Sequence, residues 1–184
     1  MKLNLKAALE SLFRSLQSPK ETEKCSLPVS MVLLLRDPRF PSLEQLRAAA
    51  EAAYGVAFSR DKATRYCVFQ QVLFTLMNAG PHTLSFLYYT KPYGDNVDDF
   101  GRAMPKASQR EAWAKHTAWM AVDYVRGGTD PELEYCVIAK LYAEMLNDNC
   151  VGVYAPTERS FIPNDGFLRE ELRRIAASRH LGVT

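Results

Sequence analysis

The residue types with the most chemical potential lie within eleven positions: Trp113, His116, Trp119 and Asp123. A histidine can take or give a proton near neutral pH, and a carboxylate can orient it, so His116 with Asp123, or with a loop carboxylate near Asp98, is the candidate catalytic pair for a hydrolysis. If residues 116–125 form a strand, its two-residue period puts Thr117, Trp119, Ala121 and Asp123 on one face and His116 with Ala118 on the other. A bulge would be needed to join the pair. Trp119 and Asp123, sharing a face, could line a pocket; equally, Trp119 could cover the core edge while Asp123 pairs with a neighbouring Arg or caps a strand end. Tyr88 and Tyr93, with Phe86 and Tyr89, form a second aromatic group that could stack a flat ligand or pack the core and anchor a loop. Trp113, Trp119, Tyr88 and Tyr93 are thus the candidate ligand-binding residues.

Other chemistries find less support. Metal binding needs converging ligands, and the sequence holds no H-x-x-x-H, H-E-x-x-H or C-x-x-C spacing, so neither a metal nor a cofactor is expected. Asp95, Asp98 and Asp99 lack the alternating oxygen ligands and distal Glu of a calcium loop. Gly127 and Gly128 precede Thr129, Asp130 and Pro131, a helix-capping series with a carboxylate where a phosphate would sit. Cys25, Cys67, Cys136 and Cys150 could meet His82 or His116, but nothing fixes such a pairing, and the thiols read as small core residues in a reducing cytoplasm. No secretory leader pattern is visible at the start, and no apolar run nears the ~20 residues that span a bilayer. The net charge is +2, and the one basic cluster (Arg169, Arg173, Arg174, Arg179) is interleaved with Glu170 and Glu171. It reads as a solvated helix face with Glu170 pairing Arg174, not a nucleic-acid surface.

The elements that must position these residues follow from periodicity. Leu5, Leu9, Leu12, Phe13 and Leu16 mark an amphipathic helix over 3–16, which could dock on the domain, bind a partner, join two copies or touch a membrane surface. A polar linker, 17–24, follows, giving an appendage over 1–24 and a single domain over 25–184. The run 29–35 is a buried strand, and Ser42 with Gln45 opens a helix that Gly55 stops. Residues 56–58, 65–76 and 82–89 are strand candidates; the middle run could be a hairpin or a helix, and its aromatic and β-branched content favours strand. An irregular excursion spans 91–106, and a short helix from Ala107 reaches Trp113. Asp130 and Pro131 open a long helix with Leu133, Val137, Leu141 and Met145 inward, stopped by Asn147 or Asn149 in the left-handed conformation. A strand over 150–154 and a final helix capped by Asn164 or Asp165 complete the chain.

This order predicts an α+β fold: a mixed or antiparallel sheet with helices mainly on one face, for which two ferredoxin-like halves are one arrangement. The segments MVLLLRDP, HTLSFLYYTKPY, HTAWMAVD, DPELEYCVIAKLYAEML and NCVGVYAP, in this order, with the H-x-A pattern at His116 and Ala118, resemble the bacterial family known as domain of unknown function 4261, over most of 28–177. The resemblance implies a bacterial cytoplasmic protein; it carries no activity and no site residues. Well-patterned elements without a catalytic motif favour a non-enzymatic protein-binding domain, of adaptor or immunity type, meeting its partner through a strand edge or an aromatic patch. The rival is a hydrolase using His116. A third reading is homo-oligomerisation through the helix over 3–16.

Overall fold

A computed structural model describes residues 28–71, 74–94, 101–102, 104–127 and 130–178. Within them, β1 (Ser30–Leu35) leads to α1 (Leu43–Tyr54), and α1 starts as its sequence dictates. Ser42 Oγ accepts from Gln45 N–H, Gln45 Oε1 accepts from Ser42 N–H, and Gly55 ends the helix at φ 72°. The run 56–58 forms no strand; nearby, Ser59 makes an isolated bridge to Cys67. The ambiguous run is a hairpin of β2 (Tyr66–Gln70) and β3 (Thr75–Ala79), followed by β4 (His82–Tyr89). Then come α2 (Ala107–Trp113) and β5 (Ala118–Arg126). His116 therefore precedes the strand that was expected to contain it.

Asp130 caps α3 (Pro131–Met145) through Glu132 N–H, with Pro131 at the first turn. The buried face of α3 is wider than one stripe, running from Cys136 to Ala139 and again over Leu141, Tyr142 and Ala143. Its end is not a left-handed Asn: Leu146 caps it in extended conformation, and Arg159 is the described non-glycine residue with positive φ. Asn149 instead ties the β1–α1 loop, accepting from Asp37 N–H and donating to Asp37 and Arg39 carbonyls. β6 (Cys150–Ala155) pairs with β7 (Ser160–Pro163), a short strand unmarked in the sequence. The last helix, α4 (Leu168–Ala177), has Phe167 at its cap position, and Asp165 Oδ1 accepts from Phe167 N–H. Its arginines do not pair as expected: Arg174 bonds Glu171, not Glu170, and Arg173 bonds Glu144 of α3 at 3.0 Å.

The seven strands form one antiparallel sheet in the order β2-β3-β4-β5-β1-β6-β7. Without the β2–β3 hairpin and β7, what remains is β1-α1-β4-β5-α3-β6, with spatial order β4-β5-β1-β6. That is one ferredoxin-like unit widened at both edges, so the arrangement in two halves does not hold. The helices α1 and α3 pack on one face against Met31, Leu33, Leu35, Met120 and Val122, and α4 packs on α3 and closes the same core. The other face carries Val32, Leu34, Leu87 and Ala121 beneath Trp113 of α2. Because β1 lies inside the sheet, between β5 and β6, its alternating side chains feed both cores. Cys67, Cys136 and Cys150 are buried and free, as expected of small core residues; Cys25, Asp98, Arg179 and the segment 1–24 lie outside the described residues.

Candidate functional site

Strand register decides which candidate residues meet. On β5, Trp119, Ala121 and Asp123 share the α2-side face, as the two-residue period requires. Tyr89 of β4 is paired with Trp119, and the two rings stack with centroids 4.1 Å apart. Tyr93 meets Trp119 edge-on at 5.1 Å, Trp113 at 6.4 Å and Tyr154 at 5.5 Å. Trp113 in turn packs on Tyr154 and Phe161. Trp113, Trp119 and Tyr93 thus come together, with Tyr89, Tyr154 and Phe161 completing the cluster; only Tyr89 among these three was part of the aromatic pattern in the sequence. Tyr88 is separated from them. It faces the helix side, beside Phe40 at 5.2 Å, with its hydroxyl donating to Thr75 Oγ1.

His116 belongs to this cluster as a tether. It is 3 % exposed, its Nε2 accepts from the Tyr93 N–H at 2.9 Å, and its Nδ1 bonds the Trp113 carbonyl. A neutral ring with hydrogen on Nδ1 satisfies both bonds, and burial lowers the pKa of the ring. Both nitrogens are therefore engaged by backbone, one on α2 and one on the loop after β4. Asp123 sits in a different row of the sheet, opposite Ser30 on β1 and Ser85 on β4. Burial raises its carboxyl pKa, and a hydrogen bond from Ser30 opposes the rise. No contact joins it to His116 among the described residues. Burial also pushes the Cys150 thiol up to about 12, which leaves it protonated at neutral pH. His82 Nδ1 lies 2.5 Å from the Tyr124 hydroxyl, inside the helix-side core.

A concavity that no sequence signal marked lies elsewhere. Between α1 and the end of α3, a cleft of about 700 Å³ has Leu33 and Leu35 of β1 at its base. Its walls include Phe40, Met145 and the alanines 48, 49 and 52 of α1, of which Ala48 and Ala52 are exposed. Most of the polar groups around it are used within the protein. Gln45 completes the cap of α1, Asn149 holds the β1–α1 loop, Asn147 accepts from Asn149 N–H, Arg39 pairs with Asp37 and Glu144 pairs with Arg173. The sheet edges are partly occupied. On β2, Ser59 exchanges backbone bonds with Tyr66 and Val68; on β7, Gln109 Nε2 donates to the Phe161 carbonyl at 2.8 Å and Pro163 has no N–H. Among the described residues, no group of three or more metal-ligating side chains converges, and no helix is long and apolar enough to cross a membrane. Comparison with family models, with curated proteins and with solved structures gives no match.

Proposed function

We propose that the chain is a non-enzymatic protein-binding domain of a bacterial cytoplasm, an adaptor or immunity-type module, whose contact surface is the cleft between α1 and α3. The observation that carries this reading is the contrast between the apolar walls of the cleft and a rim whose polar groups are mostly bonded within the chain. A small polar metabolite needs several convergent donors and acceptors for its orientation. An apolar protein segment needs burial and shape, with polar groups at the periphery, and that is what the cleft offers. The partial cover on both edges of the sheet makes strand addition the poorer route. The hydrolase reading loses support because both His116 nitrogens are held by backbone.

The test fills the cleft. Ala52 is exposed on α1, so Ala52→Trp is expected to leave the fold intact while occupying the concavity. Tagged wild-type and variant proteins are recovered from the native organism, and a stoichiometric partner captured by the wild type should fall at least tenfold with the variant. Equal capture by both would remove the cleft from the function.

A further inference from the structure

We propose that residues 3–16 of the same chain dock as an amphipathic helix in the α1–α3 cleft. The inference rests on the reading that this cleft accepts an apolar protein segment, and it names the segment. The described chain starts at Pro28, two residues before β1, and β1 runs from there toward the cleft, whose base it supplies with Leu33 and Leu35. At ~3.3 Å per residue, Leu35 lies roughly 23 Å along the strand from Pro28. Residues 17–27 can span up to about 36 Å when extended. The tether is long enough to return a helix of about 21 Å, the length of fourteen residues, onto the cleft.

Shape and charge agree. The segment gathers Leu5, Leu9, Leu12, Phe13 and Leu16 on one helical face, an apolar surface that must be covered for the helix to persist in water. The exposed alanines 48 and 52 leave room for a second helix to approach α1 closely, with Phe40 and Met145 beside them. Residues 1–16 carry Lys2, Lys6 and Arg14 against a lone Glu10; at the cleft Arg39 is turned to Asp37 and Glu144 is paired with Arg173, which leaves the Asp148 carboxylate as the charge that favours a basic segment. A tethered segment acts at an effective concentration on the order of 1 mM. An intrinsic Kd of about 100 μM would then keep it docked about nine-tenths of the time and weaken any competitor about tenfold.

The experiment uses full-length protein and a labelled peptide comprising residues 1–18. Leu9→Glu with Leu12→Glu in the full-length chain should vacate the cleft, so the peptide should bind this variant about tenfold more tightly than the wild type by fluorescence anisotropy. Adding Ala52→Trp to the variant should abolish peptide binding. In parallel, a benzophenone side chain at position 52 of the otherwise wild-type protein should crosslink to residues 3–16 of its own chain in an equal mixture of light and heavy isotope-labelled protein. No peptide binding, equal binding to both proteins, or crosslinks running only between light and heavy chains would overturn the proposal. Loss of a cellular partner in Ala52→Trp without peptide binding would leave the cleft as a docking surface and remove this occupant. Peptide binding with unchanged partner capture would do the reverse.

Discussion

His116 shows how the same residue type serves opposite ends. A general base needs a nitrogen open to substrate, but here one ring nitrogen accepts from Tyr93 N–H and the other bonds the Trp113 carbonyl, so the side chain joins α2 to the loop that follows β4. His116→Ala should therefore cost about 2–4 kcal/mol of stability, since it leaves buried backbone groups unpaired and a cavity beside Trp113. Urea unfolding would measure it, and a loss below about 0.5 kcal/mol would refute the tether. Burial lowers the folded-state pKa of His116 below its unfolded value, so the unfolded chain takes up the proton first as pH falls. The contribution of the residue is thus complete above about pH 6.5 and lost as pH falls through the folded pKa, and the wild-type profile should lose this slope in His116→Ala. Asp123 has the opposite sign. Its pKa is raised by burial, so ionisation penalises the folded state once pH passes the unfolded carboxylate value near 4. Asp123→Asn keeps a partner for Ser30 and should raise stability by about 1 kcal/mol at pH 7, with the gain disappearing below about pH 4. The shared face of Trp119 and Asp123 was legible from strand period. The role of His116 was not, because it depends on a loop backbone more than twenty residues away in sequence.

At the scale of elements, local signals and tertiary signals divide cleanly. The start of α1, the Asp130–Pro131 opening of α3 and the alternation of β4 all rest on interactions within a few residues, and all three were readable. β7 was not, since it has four residues and becomes a strand by pairing with β6. The separation of Tyr88 from Tyr93 was hidden for a related reason: alternation assigns Tyr88 to one face, but the position of Tyr93 is set by the turn beyond β4. Gly152 marks the dependence of β7 on β6. A Cβ there would lie 2.5 Å from the Phe161 ring and 2.6 Å from the Ile162 carbonyl, and the carbonyl cannot retreat without parting the two strands. Gly152→Ala should cost about 2–3 kcal/mol. Because Gln109 of α2 is bonded to Phe161 on β7, hydrogen exchange should quicken first in β7 and α2. Uniform acceleration across the sheet would show that β7 is not a separable edge.

For the whole molecule, the decisive fact is that the first described strand lies in the interior of the sheet, between β5 and β6. β1 pairs with β5 and β6, which follow it by roughly 90 and 120 residues, so neither partner is a sequence neighbour. Composition and element order sufficed for the α+β class, but strand order needed these distant pairings, which no local pattern encodes. The same strand sends Met31, Leu33 and Leu35 into the helix-side core and Val32 and Leu34 into the α2-side core. Tyr142 of α3 locks the centre, its hydroxyl donating to the carbonyls of Met31 on β1 and Met120 on β5. Losing β1 would therefore strip both cores together, and the two should unfold as one cooperative unit. The tryptophans give a direct check. Trp113 and Trp119 report the α2-side core, whereas far-UV circular dichroism is dominated by α1, α3 and α4 on the opposite face. In urea the two signals should show the same midpoint and the same slope. Earlier loss of tryptophan fluorescence would mean that the aromatic cluster opens while β1 remains paired, making it a local sub-structure resting on the sheet rather than half of a shared core.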